Sequence, residues 1–246
     1  MIQLEVCIDS IASAINAEQG GANRVELCDN LFEGGTTPSA GCIRVIRKQI
    51  EIGLQVIVRP RGGDFLYDDL EFAMMLHDVQ VAKEEGADGV VIGLLNDQGH
   101  VDRERTKQLI DLARPMNVTF HRAFDMTVDP LRALEDLIEL GVDRILTSGQ
   151  RATAWEGVGL IQQLIEQAAG RISIMPGGGI NEENIHALVS QTGVRECHVS
   201  GRSAVPSAMN YQNHRVFMGG ALRLPEYERK ITNTQRIQAF RRQTTK

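Results

Sequence analysis

Two Glu-x-Cys pairs are the residues near the start of this chain whose types and spacing could support chemistry. Glu5 and Cys7 lie in the segment LEVCIDS, and Glu26 and Cys28 lie in RVELCDN. Side chains alternate between the two faces of a β-strand, so residues two positions apart share a face. We therefore expect both carboxylates and both thiols to face one interior, with the intervening Leu, Val and Ile side chains on the opposite face.

Two inward-facing thiols could bind a soft metal ion. Copper(I) prefers thiolate and thioether sulfur, and Met175, His121 or His198 could add a third ligand to an ion held by Cys7 and Cys28. The alternative is that both cysteines are small packing residues, because buried cysteines usually have that role. The residues by themselves leave both interpretations open.

A second group of side chains could perform acid–base catalysis on a small anion. Strand alternation places Arg59 and Arg61 on one inward face, where they could clamp a carboxylate or a phosphate. Glu26, His121 and Asp125 are candidate general acids and bases. The alternative is a network of internal ion pairs that only stabilises the fold, since buried charges persist when they are paired. Their concentration near strand ends favours a functional cavity.

A glycine segment late in the chain predicts an anion-binding site. Gly177, Gly178 and Gly179 follow an apolar run and precede a predicted helix, and Ser200 and Arg202 follow the next apolar run. Glycine lets backbone N–H groups approach a phosphate, and barrels often bind phosphate after strands seven and eight. We therefore expect an anionic group to bind beside these five residues.

Eight short apolar runs must position all of these side chains, and they alternate with segments of helical spacing. The runs are LEVCI, RVELC, QVIVRP, GVVIGLL, NVTFHRAF, RILTSG, RISIMPGGGI and ECHVSG. Eight strands that alternate with helices predict an α/β fold, a single (β/α)8 barrel of the TIM type. We expect residues 1–204 to form the barrel. Residues 205–246 are expected to form an irregular extension that ends in a helix and packs on the barrel or at a subunit interface.

Composition excludes several classes of function. The net charge of -6 provides no general attraction for nucleic acid or anionic lipid, and no run of about eighteen apolar residues predicts a membrane span. The four cysteines are too few and too scattered for a disulfide scaffold and include no CxxC motif, which predicts reduced thiols. The strand-like N-terminus has no signal-peptide pattern, which predicts a cytoplasmic protein. The five lysines lie in helical segments or the extension, which disfavours a Schiff-base aldolase. No motif indicates a nucleotide or organic cofactor, so the expected partner is a copper ion or a small anionic ligand.

Several segments together resemble the CutC family, which is named for copper homeostasis. They are EVCIDS, RVELC, EGGTTPS, VRPRGGDFLY, VTFHRAFDM, ILTSG and MPGGGI, and the resemblance runs from about residue 2 to beyond residue 200. The resemblance implies a TIM barrel, a cytosolic location and assembly into a homodimer or higher homo-oligomer. It also implies that copper(I) is the ligand and that Cys7 and Cys28 bind it.

Overall fold

Eight parallel strands form the barrel that the sequence predicts. The computed structural model describes residues 2–219 and 225–244, so residues 220–224 and 245–246 of the predicted extension lie outside the described residues. The barrel strands are β1 (Gln3–Ile8), β2 (Arg24–Leu27), β3 (Gly53–Ile57), β4 (Gly89–Ile92), β5 (Asn117–Phe120), β6 (Arg144–Thr147), β7 (Ser173–Pro176) and β8 (Glu196–Val199).

The strands are hydrogen-bonded in the order β7-β6-β5-β4-β3-β2-β1-β8. A parallel bridge between Gly177 and His198 links the two outer strands and brings the sheet close to a closed cylinder. The predicted TIM-type α/β fold is therefore confirmed. Because all the strands are parallel, their carboxyl ends meet at one mouth of the barrel.

Eight helices surround the strands, and several begin at a side chain that caps their first turn. Ser10, Ser39, Asp68, Asp102 and Asp129 each accept a hydrogen bond from a backbone N–H group in the helix that follows. The helices are α1 (Ile11–Gln19), α2 (Ala40–Arg47), α3 (Asp69–Glu84), α4 (Arg103–Ala113), α5 (Pro130–Leu140), α6 (Val158–Ala168), α7 (Ile185–Thr192) and α8 (Thr234–Gln243). In the described residues, no helix is long and apolar enough to cross a membrane.

The segment after β8 contains regular structure that the sequence pattern does not reveal. Strand β9 (Arg202–Pro206) pairs in antiparallel fashion with β10 (Glu228–Thr232), and both strands are largely exposed. Exposed strands show no alternation of apolar and polar residues, which explains the irregular appearance of the sequence. Helix α8 then packs against α1 and α7, with Ile237 and Phe240 completely buried.

The strands divide their side chains between two environments. Leu4, Val6 and Ile8 of β1 point outwards and are fully buried against the helices. The alternate residues point into the barrel, where Glu5 is completely buried and Cys7 packs beside Ile57 in a small separate cluster. The barrel interior is therefore polar at several positions where branched apolar side chains usually fill such folds.

Candidate functional site

A network of buried ion pairs lies inside the barrel. Arg24 on β2 pairs with Glu5 on β1 and with Glu196 on β8, and Arg144 on β6 also pairs with Glu196. Burial by itself would raise the pKa of Glu5, but Arg24 and then His198 lower it to about 2. The Glu5 carboxylate is therefore charged, and each buried charge in the network has an opposite charge beside it.

His198 connects this network to the residues nearer the mouth of the barrel. Its Nδ1 lies 2.9 Å from Oε1 of Glu5, and its Nε2 lies 3.4 Å from Oε2 of Glu26. Burial would lower the pKa of His198, but Glu26, together with hydrogen bonds to Cys7 and Glu5, raises it well above its usual value. The imidazole is therefore protonated at neutral pH and held between two acidic side chains.

Cys7 and Cys28 converge beside His198. Their Sγ atoms are 3.9 Å apart. The register of β1 and β2 places Cys7 opposite Glu26. Cys28 lies two residues after Glu26, directly after the end of β2, and occupies the next inward position. Ligand atoms of Cys7, Glu26 and His198 all lie within 4.8 Å of one another. The structure thus brings together the four Glu and Cys side chains that strand alternation assigns to one interior.

The two thiols have different acidities. A hydrogen bond from Cys28 is the main cause that lowers the pKa of Cys7 to about 5, with His198 acting in the same direction against burial. That hydrogen bond and burial raise the pKa of Cys28 well above its usual value. Burial is also the main cause that raises the pKa of Glu26 to about 8. One thiolate beside one thiol is therefore the resting state at neutral pH.

A cavity of about 560 Å³ lies at the carboxyl ends of the strands. Part of its wall comes from residues within the strands, among them Cys7, Glu26 and His198. Most of the other lining residues lie in the loops that follow the strands. Phe65 and Leu146 supply apolar wall surface. Small-molecule sites usually have volumes of about 300 to 1,000 Å³, so the cavity is larger than a single metal ion requires.

Arg59 and Arg61 do not form the predicted clamp. Arg59 is 5% exposed and lines the cavity, but the side chain of Arg61 is 38% exposed and lies outside the cavity lining. Arg61 instead pairs with Asp64 at 3.0 Å and with Glu71 at 2.5 Å. The reason is that β3 ends at Ile57, so period-two alternation no longer governs the loop that contains both arginines.

His121 lies directly after β5, and its side chain is buried, with an exposed fraction of only 5%. Its Nδ1 accepts a hydrogen bond from the Ala123 N–H group at 3.0 Å, and its ring lines the cavity. Burial, and secondarily the positive charge of Arg59, lowers the pKa of His121 to about 3. The ring is therefore neutral near neutral pH.

Asp125 is held by many hydrogen bonds beside the cavity. Its carboxylate accepts hydrogen bonds from Thr147 Oγ1 at 2.5 Å, from Ser148 Oγ at 2.9 Å and from the Gln150 N–H group at 3.1 Å. Arg122 pairs with the same carboxylate at 2.8 Å. These contacts join the loops after β5 and β6. The structure therefore gives Asp125 an organising role in the cavity wall.

The predicted anion-binding residues also meet at the cavity. Gly178, Gly179, Ser200 and Arg202 line it, and Arg202 is 3.5 Å from its nearest carboxylate, on Asp9. Gly178 and Gly179 have φ values of +99° and +69°, which favour glycine because other residues rarely adopt them.

Gly177 differs from the other predicted anion-binding residues. It bridges to β8 through His198 and donates its N–H group to the Thr147 carbonyl at 2.9 Å. Gly177 therefore helps to close the barrel.

Three arginines at the site are absent from the predicted set. Arg24 and Arg144 belong to the interior network, and Arg122 lines the cavity. Alternation could have identified Arg24, because it lies two residues before Glu26 and therefore shares its face. Arg122 lies two residues after the end of β5, in a loop where strand alternation gives no signal.

Comparison with known proteins identifies relatives across almost the entire chain. The sequence profile of the CutC family matches residues 2–203. A mouse protein named copper homeostasis protein cutC homolog is 50% identical over 237 residues, which span 96% of this chain and 87% of the relative. A CutC family protein of Chromobacterium violaceum is 52% identical over 238 residues, which span 97% of this chain and 96% of that protein.

A solved structure shows the same relationship in three dimensions. The crystal structure of a candidate copper homeostasis protein CutC from Streptococcus agalactiae matches with a TM-score of 0.78 and 37% sequence identity. The match covers 81% of this chain and 99% of that chain. Sequence and fold therefore agree, and the chain belongs to the CutC family.

Proposed function

We propose that this protein acts in copper homeostasis by binding copper(I) through Cys7 and Cys28. The observation that carries the proposal is the 3.9 Å separation of the two Sγ atoms, one of which lines the cavity. Thiolate sulfur is the ligand type that copper(I) prefers. The name of the mouse relative and that of the Streptococcus agalactiae structure, which both refer to copper homeostasis, support the same cargo.

The sulfur separation fits a single ion bound by both cysteines. If each sulfur is about 2.3 Å from the ion, as in zinc thiolate sites, a separation of 3.9 Å corresponds to an angle of about 116°. That angle is close to the trigonal value and leaves room for a third donor. Copper is then cargo. Binding by both sulfurs as thiolates releases the proton of the Cys28 thiol, and release of the ion returns a proton to it.

His198 is the closest candidate for a third donor. Its Nε2 faces Glu26, and both residues lie within 4.8 Å of Cys7. Because the protonated imidazole cannot bind a metal, coordination would require loss of the His198 proton. Met175 contacts Arg24 through its Sδ at 3.1 Å, and His121 uses its Nδ1 for the Ala123 N–H group. These contacts favour His198 over the other two.

The proposed location is the cytoplasm, and the proposed assembly is a homo-oligomer. All four cysteines are free thiols, which a reducing compartment maintains. Exposed apolar side chains are concentrated after β9, including Met209 at 59%, Tyr211 at 69% and Met218 at 82%. Clusters of this kind are typical of contact surfaces, and size-exclusion chromatography with light scattering would measure the assembly directly.

Anaerobic titration with copper(I) in the presence of a competing chromophoric chelator tests the copper proposal. We expect the wild type to bind one copper(I) and the Cys7→Ser/Cys28→Ser variant to lose this binding. Cys42→Ser is the matched control, because Cys42 lies on α2 away from the cavity. Equal stoichiometry and affinity in the wild type and the double variant would exclude these thiols as the site.

A second candidate function is acid–base catalysis on a small phosphorylated or carboxylated metabolite. The observation that favours it is Glu26, whose raised pKa of about 8 leaves a protonated carboxyl in the cavity wall at neutral pH. Such a group can donate a proton to a substrate. A screen of metabolites by thermal shift, followed by turnover assays of wild type and Glu26→Gln, tests it. A substrate that both forms convert equally well would remove Glu26 from the mechanism.

A further inference from the structure

Arg59 is a buried cation without an acidic partner in the described parts of the chain. Its guanidinium donates hydrogen bonds to the backbone carbonyls of Glu33 at 2.8 Å, Gly35 at 2.8 Å and Gly63 at 3.0 Å. Carbonyl groups orient the guanidinium but carry no net charge. Because a buried charge is costly unless an opposite charge lies beside it, the position of Arg59 in the cavity wall indicates an anion.

Arg59 also retains hydrogen-bond donors. A guanidinium has about five N–H groups, and the three carbonyls use two on Nη1 and one on Nη2. One N–H on Nη2 and the Nε–H group have no carbonyl acceptor, and Nε has no hydrogen-bond partner among the described residues. The neighbouring Tyr67 hydroxyl cannot neutralise the charge, since burial raises the pKa of Tyr67 to about 12.

His121 contributes another unused donor to the same wall. Its Nδ1 accepts a hydrogen bond from Ala123, so the proton of the neutral ring is on Nε2. This Nε2 is buried and has no hydrogen-bond partner among the described residues. A buried N–H group without an acceptor is unfavourable, which again indicates that a ligand supplies one.

Phe65 brings the two side chains together. The Cζ atom of Arg59 lies 5.2 Å from the centre of the Phe65 ring, and the His121 ring centre lies 5.1 Å from it. All three residues line the cavity. The wall therefore combines an unbalanced positive charge, unused N–H donors and an apolar ring, which are the features of a site for an organic anion.

We propose that Arg59 and His121 bind the carboxylate or phosphate group of a small organic molecule in this cavity. Arg59 supplies the positive charge and His121 supplies a hydrogen bond from Nε2. The organic part of the ligand lies against Phe65 and extends into the remaining volume. Arg59 and His121 are different residues from the two sulfur donors, although Cys7 lines the same cavity. We therefore expect anion binding and copper binding to succeed or fail independently.

Titration with sodium acetate and, in parallel, with sodium phosphate tests the proposal at constant ionic strength maintained with sodium chloride. The readout is the ¹⁵N and ¹H resonances of the His121 imidazole, followed in ¹⁵N-labelled protein. We expect a saturable shift of the Nε2 resonance, and the anion that binds more tightly identifies the ligand as a carboxylate or a phosphate. The absence of a saturable shift with both anions would overturn the proposal.

Variants locate the anion. Arg59→Gln is expected to weaken binding about tenfold or more, because hydrogen bonds to charged groups contribute at least this factor. Arg61→Gln removes the same charge two residues away, outside the cavity, and is the matched control. If Arg59→Gln does not fold, His121→Gln measured by calorimetry replaces it, with severalfold weaker binding expected. An Arg202→Gln variant tests the other arginine of the cavity wall. If Arg59→Gln, or His121→Gln in its place, binds the anion with unchanged affinity, or if only Arg202→Gln loses anion binding, the assignment to Arg59 is wrong.

Copper titration distinguishes this result from the proposed function. The Cys7→Ser/Cys28→Ser variant is expected to bind the anion with wild-type affinity, and Arg59→Gln is expected to bind copper(I) with wild-type stoichiometry. Loss of anion binding in the cysteine variant would show that the two sites are one, which would overturn the proposed separate site.

Discussion

Replacing His121 with Gln removes an imidazole that the fold keeps uncharged. Burial, and secondarily Arg59, lowers the pKa of His121 from 6.5 to about 3. In the unfolded chain this imidazole binds a proton as the pH falls below about 6.5. Between these two values the unfolded state binds more protons than the folded state, so acid favours unfolding. This contribution to stability is complete above pH 6.5 and is lost as the pH falls toward about 3.

The two pKa values set the magnitude of the effect. Their difference corresponds to about 5 kcal/mol at about 1.4 kcal/mol for each pKa unit. Between about pH 7 and about pH 4.5, the expected loss is roughly 2 to 3 kcal/mol, because the unfolded imidazole is almost fully protonated at the lower pH. The carboxyl groups also titrate in this range, but their contribution cancels when two variants are compared.

Urea denaturation at the two pH values measures the free energy of unfolding. We expect the wild type to lose roughly 2 to 3 kcal/mol more than His121→Gln on acidification. His77→Gln is the control, because His77 lies exposed on α3, and it is expected to follow the wild type. If wild type and His121→Gln lose the same free energy, His121 is not held neutral by burial and the reasoning is refuted.

Two further perturbations test how the barrel is held together. A Cβ at Gly20 would lie 2.4 Å from Cβ of Ile237, so Gly20→Ala is expected to cost roughly 1 to 3 kcal/mol in thermal denaturation. Gly159→Ala on α6 is the control, because a Cβ there meets nothing within 4 Å, and it is expected to increase stability by about 0.5 to 1 kcal/mol. Equal changes in stability for the two glycine variants would contradict close packing of α8 at Gly20. Arg24→Met removes the cation that Glu5 and Glu196 share, leaving Glu5 with His198 and Glu196 with Arg144, and is expected to cost about 3 to 5 kcal/mol in urea denaturation. Arg44→Met breaks a surface pair and should cost far less, and comparable losses would argue against a buried network.

Strand alternation predicts the inward faces correctly where regular strands exist. Glu5, Cys7 and Glu26 lie on β1 and β2, and the pleat of a strand forces such alternate side chains onto one face. Cys28 follows directly and continues the pattern. The same argument fails at Arg61, because the strand has ended and the loop backbone no longer alternates.

Pairing between distant segments lies beyond the sequence pattern. Arg24 and Arg144 meet at Glu196 only because the sheet curves until β8 lies beside β1. Strands β9 and β10 pair although more than twenty residues separate them in the chain. Because β9 is largely exposed, its sequence shows no alternation of apolar and polar residues. Neither contact is encoded in a local stretch of the chain.

The sequence by itself determines that this protein is a TIM-type barrel with two carboxylates and two thiols in its interior, because secondary-structure periodicity is a local property. Only the tertiary structure decides that the two sulfurs lie 3.9 Å apart, that His198 is held between Glu5 and Glu26, and that Arg59 has no acidic partner in the described chain. These properties depend on barrel closure and on the desolvation that accompanies it. Distances and local dielectric arise from the folded arrangement, and they control both metal coordination and pKa values.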